Sequence, residues 1–315
     1  MTDAVWMLRG PAAVLTVLTA FAIDRIVGEP PPFCHPVVWI GRALSATRAP
    51  WPDASPSGAF MRGASSWLIG AAVSMALAAT ACHAIALLAD LKSIPWARLI
   101  AAALLGVLLK PLFAWRLLHE EVAAVERALA DSLAAGREQL RRLVSRDTAA
   151  LTATEVRESA IETLAENLND SLIAPLFWFV LGGLPGAALY RFANTADAMW
   201  GYHGRWEWAG KWAARTDDVL SYVPARLTAV LLAIAALRWP RGLKREARLT
   251  PSPNGGWPMA MLALALNVRL SKRNVYVLHA EGREAAAEHL ARGLIIATRA
   301  AWWAVALSSA GSFLL

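Results

Sequence analysis

The feature that most constrains this chain is a series of long apolar runs separated by charged stretches. A helix needs roughly 20 apolar residues to cross the hydrocarbon core of a bilayer. Inside lipid, helices of this kind satisfy all their backbone hydrogen bonds internally. The chain is therefore predicted to be an all-α, polytopic helical integral membrane protein. The candidate spans are 5–23, 67–89, 97–118, 172–190, 222–237 and 294–315.

The composition agrees with a membrane protein. Charged residues make up 17% of the chain, whereas a soluble domain carries about 25%. The chain also has 15 Trp residues, and Trp is favoured at the interface between membrane and water. We expect one domain over 1–315, with residues 119–171 as a cytoplasmic helical insertion. The first apolar run has no convincing cleavage site and is expected to remain as an anchor.

Basic residues predict the orientation in the membrane. Segments 119–171 and 238–292 are rich in Arg and Lys, so the positive-inside rule places both in the cytoplasm. The run 172–190 contains the break 182–186, of sequence GGLPG, which favours a hairpin buried in protein over a straight span. The hairpin and the straight span both keep the two basic loops on one side of the membrane. The number of spans therefore stays open at about four to six. We expect a multi-pass protein of the bacterial inner membrane, with lipid as a partner and no nucleic acid.

Four acidic residues stand four apart just before the fourth run, at Glu158, Glu162, Glu166 and Asp170. On a helix they would share one face, where like charges repel unless something positive meets them. The candidates are a divalent metal, a basic partner segment, or Arg and Lys from elsewhere in the chain. A solvated helix face explains the spacing equally well.

Other polar clusters flank the spans, and each has a structural reading as well as a functional one. A charged group at a span end often marks only the interface, and a short Arg/Asp pair is usually a local salt bridge or cap. There is no Walker A, G-x-G-x-x-G or H-E-x-x-H motif and no zinc-type Cys spacing. The clusters are Asp24-Arg25 with Glu29 and His35, Arg146-Asp147-Thr148, Asn194 with Asp197, and Arg215 to Asp218 followed by Arg226.

In this order, the clusters resemble the CobD/CbiB family of cobalamin biosynthesis, the membrane-bound cobinamide (adenosylcobinamide-phosphate) synthases. Five separate motifs in register make the resemblance far more specific than any one of them. The matching stretches are 24–42 (DRIVGEPPPFCHPVVWIGR), 144–148 (VSRDT), 158–202 (beginning ESAIETLAENLND), 213–229 (AARTDDVLSYVPARLTA) and 252–270 (SPNGGWPMAMLALALNVRL).

The resemblance implies an ATP-dependent ligase that joins a propionate carboxylate of (adenosyl)cobyric acid to (R)-1-aminopropan-2-ol or its O-phosphate. A carboxylate is a poor electrophile, so activation as an acyl phosphate would require ATP and Mg²⁺. The attacking amine must then lose a proton, for which a carboxylate base is useful.

The resemblance also suggests roles for individual residues. Glu162 and Glu166 are the candidate catalytic carboxylates, with Glu162 as the base. Mg²⁺ would be held by Glu166, Asp170 and Asp197. Phosphates of ATP or of the amino alcohol would be bound by Arg146, Arg215 and Arg226, because guanidinium suits phosphate geometry. Further polar contacts are assigned to Asn167, Asn194 and Asp218.

Two other functions stay open from the sequence. Broken helices beside carboxylates are typical of ion-coupled transporters, and a membrane scaffold for soluble corrinoid-pathway enzymes would need no catalysis. The sequence also leaves open whether the amine is phosphorylated and whether the corrinoid is adenosylated. It does not decide between a monomer, a homo-oligomer and a complex with other pathway enzymes.

Overall fold

The computed structural model describes residues 10–48, 55–89, 96–201 and 207–314. Helices make up 79% of it and strands are almost absent, which confirms the all-α prediction. The helices are α1 (Gly10–Ile26), α2 (Pro36–Arg48), α3 (Pro56–Ala89), α4 (Ala97–Leu109), α5 (Trp115–Asp131), α6 (Leu133–Arg141), α7 (Ala153–Leu168), α8 (Ala174–Trp200), α9 (Glu207–Leu220), α10 (Tyr222–Ala236), α11 (Leu243–Ala247), α12 (Gly256–Leu266) and α13 (Ala287–Leu314).

Three short segments complete the described structure. A 3₁₀ turn at Lys110–Leu112 follows α4, and a π-helical turn at Asn169–Ile173 joins α7 to α8. Strands β1 (Leu270–Lys272) and β2 (Tyr276–Leu278) form an antiparallel hairpin in which Ser271 pairs with Val277.

The chain divides into two compact units. The first comprises Met1–Ala114, Ala174–Leu220 and Val305–Leu315, and the second comprises Trp115–Ile173 and Ser221–Ala304. The single domain predicted over 1–315 stays a prediction, as does the cytoplasmic placement of residues 119–171.

In the first unit, α3 packs closely against α8 and α9 because small residues line its contacts. A Cβ at Gly63 would lie 2.0 Å from the backbone oxygen of Ala209, and one at Gly70 would lie 2.4 Å from the Phe192 ring. The Trp67 ring meets Phe192 edge-on at 5.8 Å between centroids. These aromatic side chains are buried and form the centre of the unit's hydrophobic core.

In the second unit, α5 and α6 pack against α7, and α12 contacts both α7 and α10. α7 begins with a capping box: the Thr152 hydroxyl accepts from the Glu155 backbone N–H, and the Glu155 carboxylate accepts from that of Thr152. This arrangement satisfies two of the backbone donors that every helix start exposes. Arg157 joins α7 to α5 through two hydrogen bonds of 2.7 Å to Glu126.

Four helical stretches are long and apolar enough to cross a membrane: Pro56–Ala89, Ala97–Asp131, Ala153–Trp200 and Ala287–Leu314. α9 and α10, bent by 45°, make a fifth if they count as one span. Four of the six predicted spans fall within the four stretches, and 222–237 coincides with α10 except for Leu237, although Leu315 lies outside the described residues. Of the remaining span, 5–23, residues 5–9 also lie outside them, and the described part belongs to the 17-residue α1, about 26 Å long.

α8 is interrupted at Gly183, which has φ 62° and ψ −156°. A Cβ at Gly186 would lie 2.4 Å from the backbone oxygen of Trp178. Residues eight apart on a straight helix are about 12 Å apart along its axis, so α8 bends sharply at Gly183. The hairpin predicted from the glycines and Pro185 stays a prediction.

Candidate functional site

The acidic row lies on α7 and continues into the π-helical turn. Glu158, Glu162 and Glu166 follow the α-helical spacing, whereas Asp170 falls in the π turn. The row is therefore regular for three of its four members only. Single π turns occur frequently at functional sites.

The first two carboxylates of the row are buried and held by residues far away in sequence. Glu158 is 0% exposed and accepts hydrogen bonds from the Ser271 hydroxyl and from its backbone N–H, the latter at 2.9 Å. Arg269 Nη2 lies 3.6 Å from the other Glu158 oxygen. Glu162 is 4% exposed, and its Oε2 lies 2.7 Å from Arg146 Nη2.

Arg146 also donates to the Ser159 hydroxyl at 2.6 Å, so one guanidinium group bridges two positions of α7. The Oε1 atom of Glu162 is buried and has no hydrogen-bond partner within the described residues. A buried polar atom without a partner is costly. Arg146 therefore offsets the Glu162 charge, and the Tyr276 phenol lies close enough to act on the same carboxylate.

Glu166 has a different environment. Its side chain is exposed, and no ion pair or hydrogen bond to it occurs in the described ranges. A Cβ at Gly255 would lie 2.9 Å from Glu166 Oε1, so the glycine leaves room for this carboxylate at the start of α12. The amino end of a helix carries partial positive charge and favours an anion. Next along the row, Asp170 accepts a hydrogen bond of 2.7 Å from the Asn169 amide.

Arg226 stands beside the same helix start and is held by neutral groups. It donates to the Asn254 side chain at 2.7 Å and to the Pro253 carbonyl at 3.0 Å. Its guanidinium carbon lies 3.5 Å from the centre of the Tyr222 ring and 4.9 Å from that of Trp257. Stacking of this kind orients guanidinium without cancelling its charge.

The β-hairpin completes this side of the second unit, and sequence reasoning missed it. Arg273 makes two hydrogen bonds to Glu155, of 2.5 and 2.6 Å, and the Tyr276 hydroxyl lies 3.8 Å from Met259 Sδ. Burial and the neighbouring Glu162 carboxylate raise the pKa of the Tyr276 phenol, so it stays protonated. The available signal was Asn274 between two short β-forming segments, since Asn tolerates the positive φ that this turn requires.

The remaining predicted site residues are Asn167, Asn194, Asp197, Arg215 and Asp218. Asn167 donates to the backbone oxygen of Thr163 at 3.1 Å, within α7. Four others belong to the first unit: Asn194 and Asp197 on α8, and Arg215 and Asp218 on α9. Arg215 Nη1 lies 3.8 Å from Asp218 Oδ2, beside a cavity of about 270 Å³. The second unit thus brings together Arg146, Glu162, Glu166, Asp170 and Arg226, and the roles of all the predicted residues stay predictions.

The first unit contains a second acidic cluster, in which the charges are paired. Lys110 is 2% exposed, and its ammonium lies 3.1 Å from Asp24 and 2.7 Å from Glu29. The other Glu29 oxygen lies 3.1 Å from His35 Nε2, and His35 Nδ1 accepts from the Val37 backbone at 3.2 Å. Burial alone would raise the pKa of Glu29, but hydrogen bonds from His35 and Lys110 outweigh it and lower that pKa.

In the described ranges, no group of three or more His, Cys, Asp and Glu side chains is arranged to hold a metal ion. Mg²⁺ commonly binds one or two carboxylates and completes its shell with substrate phosphates and water. Glu166 and Asp170 fit that smaller requirement, because they are adjacent on the row and Glu166 makes no direct ion pair there. Asp197, the third predicted ligand, belongs to the first unit.

Comparisons with known proteins cover most of the chain. The sequence profile of the family described as CobD/Cbib protein matches residues 17–299. The chain is 40% identical over 274 residues to the probable cobalamin biosynthesis protein CobD of Methanothermobacter thermautotrophicus, which covers 84% of this chain and 86% of that protein. Over 285 residues it is 38% identical to the protein of the same name from Thermococcus kodakarensis, covering 90% of each.

A third relative is similar over the same share of the chain as the second. The cobalamin biosynthesis protein CobD of Brucella suis biovar 1 is 35% identical over 308 residues, covering 90% of this chain and 92% of that protein. No solved structure matches the chain.

Proposed function

Because this chain belongs to the CobD/CbiB family of cobalamin biosynthesis proteins, we propose that it is the ligase that attaches the amino-alcohol linker to the corrinoid. In this reaction, a propionate carboxylate of (adenosyl)cobyric acid and the amine of (R)-1-aminopropan-2-ol, or of its O-phosphate, form an amide while ATP is converted to ADP and phosphate. The observation that carries the proposal is Glu166, an exposed carboxylate in an acidic row that makes no direct ion pair in the described part of the chain.

In this reaction, the carboxylates would bind the metal and the arginine would bind phosphate. Glu166 and Asp170 would hold Mg²⁺, which neutralises charge on the ATP phosphates and helps the corrinoid carboxylate become an acyl phosphate. Arg226 can contact phosphate without leaving a carboxylate behind, because its present partners are neutral. Its stacked position also limits its freedom before any ligand arrives, which reduces the entropy cost of binding.

Glu162 is the candidate for accepting the amine proton when the amine attacks the acyl carbon and phosphate leaves. Arg146 holds Oε2 of Glu162, and the Tyr276 phenol stands beside the same carboxylate. The low exposure of the carboxylate keeps competing water away from it. Proton transfer to such a positioned base contributes about 10²- to 10⁴-fold to a rate.

The test is an assay of the detergent-purified protein with cobyric acid, Mg²⁺-ATP and either aminopropanol or its phosphate. ADP release and corrinoid mass are followed in the same reaction. We expect amine-dependent ADP release with the mass gain of one amide, and the preferred amine identifies the substrate. A folded protein that gives no mass gain with either amine would overturn the proposal. Glu120→Gln is the matched control for carboxylate variants, because Glu120 is exposed and pairs with its helical neighbour Arg116.

The break in α8 supports one competing function, an ion-coupled transporter, since interrupted helices often line transport sites. A transporter would move a corrinoid across a liposome membrane with no change in its mass. The ligase would change that mass with or without a sealed membrane. Parallel assays in detergent and in liposomes therefore separate the two functions.

A further inference from the structure

The second unit contains a cavity of about 480 Å³ whose charged lining the proposed reaction does not use. Three arginines and one glutamate surround it, so positive charge is in excess. The polar side chains that line it are Arg238, Asn267, Arg283, Glu288, His289 and Arg292.

Backbone hydrogen bonds fix the frame of this cavity. Asn267 ends α12 with φ 57°, and its carbonyl accepts from the backbone N–H of Arg283 at 3.0 Å. The Arg283 carbonyl in turn accepts from the Arg269 backbone at 2.9 Å, and the Asn267 side chain lies 2.8 Å from the His279 ring. The segment that carries Arg283 is therefore attached to the end of α12.

The three arginines that line the cavity differ in the contacts that they already make. Arg238 Nη1 lies 3.4 Å from the backbone oxygen of Ala265, one of the last carbonyl groups of α12, so capping explains part of its presence. Arg283 and Arg292 are exposed, and neither has an ion pair in the described residues. Two guanidinium groups on one cavity repel each other, and an anion between them removes that repulsion.

His289 supplies a buried donor at the same cavity. It is 9% exposed, and its Nδ1 accepts from the Ala286 backbone at 3.0 Å. In the neutral ring the proton must then be on Nε2, which lies 3.7 Å from the Glu288 carboxylate. His289 and Arg292 stand in the first turns of α13, where free backbone N–H groups add partial positive charge.

We propose that this cavity binds a phosphate group between Arg283 and Arg292, with the His289 Nε2–H as a neutral donor. Guanidinium presents paired N–H groups that match phosphate oxygens, and the start of a long helix favours the same ligand. The volume leaves room for whatever carries the phosphate, either the headgroup of an anionic phospholipid or a soluble phosphate ester. The inference requires no ligase turnover, because it assigns neither ATP nor the corrinoid to this site.

The test measures binding with no ATP and no corrinoid present, so that failure of the ligase would not affect it. Delipidated protein in neutral detergent is titrated with inorganic phosphate and with phosphoethanolamine, and melting temperature and heat of binding are recorded. In a second arm, the protein is placed in nanodiscs of phosphatidylcholine with or without phosphatidylglycerol. The variants are R283A/R292A, the milder R283K/R292K, and the control R241A/R248A, which removes two exposed arginines outside the cavity lining.

We expect wild-type protein and R241A/R248A to bind alike, and R283A/R292A to bind at least about 10-fold more weakly, which is about 1.4 kcal/mol. The lysine pair should bind with intermediate affinity, since it keeps the charge and loses the paired donors. Binding of the soluble probes identifies a soluble ester as the source, and stabilisation by phosphatidylglycerol alone identifies a lipid headgroup. The proposal is overturned if neither arm shows binding, or if folded R283A/R292A and R283K/R292K both bind as wild-type protein does.

Discussion

The two acidic clusters of this protein are built in opposite ways. In the first unit, Asp24 and Glu29 meet the ammonium of Lys110, and His35 closes the network on the other Glu29 oxygen. In the second unit, Arg146 pairs with Glu162, but Glu166 makes no direct ion pair in the described ranges. Each carboxylate of the first cluster contacts Lys110 directly, whereas among the described residues Glu166 has only the longer-range attraction of Lys272 and Arg146.

The difference indicates what each cluster is for. Buried charges persist only when they are paired, and removing one partner leaves an uncompensated charge. The first cluster therefore holds the end of α1, the loop after it and the end of α4 together. A row of carboxylates with an unpaired, exposed member is costly by itself and becomes favourable when a cation binds. We therefore assign stability to the first cluster and ligand binding to the second.

Lys110→Met tests whether the first cluster stabilises the fold, and it should have the largest effect on stability. It leaves Asp24, which is 0% exposed, without its ammonium partner, and such losses cost about 3–5 kcal/mol. We expect a large drop in folded yield and in melting temperature. Lys244→Met, at an exposed position, is the control and should melt as wild-type protein does. A Lys110→Met protein with wild-type stability would mean that the first cluster does not stabilise the fold.

Glu166→Gln should instead lower ligase activity without lowering stability. Ligase activity should fall at least about 100-fold, because a charged ligand for the metal and phosphates is lost. The melting temperature should stay or rise, since one like charge leaves the row. Amine-dependent ADP release and a thermal melt on the same preparation check both parts. Lower stability with retained activity would assign Glu166 to the fold.

Arg146→Ala should lower stability less than Lys110→Met does, and it should lower ligase activity less than Glu166→Gln does. It leaves Glu162 buried without its ion pair, and we expect a loss of about 1–3 kcal/mol, less than for Lys110 because Arg146 is partly exposed. Arg146→Lys should restore part of the stability, since it keeps the charge and loses the second contact with Ser159. Denaturation in graded detergent measures the three proteins. Equal stability of all three would show that the ion pair is not needed.

The smallest expected effect is a dependence on pH in the first cluster. The lowered pKa of Glu29 means that its contribution is fully present above the unfolded value of about 4.5 and is lost as pH falls through the folded value. The difference in melting temperature between wild-type protein and Glu29→Gln should therefore be constant above about pH 5 and narrow from about pH 4.5 to about pH 3. A difference that stays constant over that range would show that the Glu29 charge does not contribute.

Local patterns in the sequence predicted the parts of the fold that depend on neighbours along the chain. The spacing of Glu158, Glu162 and Glu166 placed them on one helix, and the capping residues Thr152 and Glu155 give that helix a defined start. The glycines before Pro185 predicted the break in α8, because few other residues tolerate the backbone angles of Gly183.

The partners of these residues could not be predicted in the same way. Ser271 lies 113 positions from Glu158, and Lys110 lies 81 from Glu29. Pairing at that distance depends on how helices pack, which the pattern of apolar residues does not specify. Asn194 and Asp197 belong to the first unit, so their place in one site with Glu166 stays a prediction. Identifying the family, in contrast, needed only motifs in register.

The most direct test of the central claim is the change in melting temperature caused by Mg²⁺-ATP, measured on wild-type protein, Glu166→Gln with Asp170→Asn, and Glu120→Gln. A ligand at about 100 times its Kd stabilises a folded protein by about 2.7 kcal/mol. The account predicts a clear rise for wild-type protein and Glu120→Gln, dependent on Mg²⁺, and no rise for the double variant. An equal rise in all three proteins would contradict the assignment of the acidic row to ligand binding.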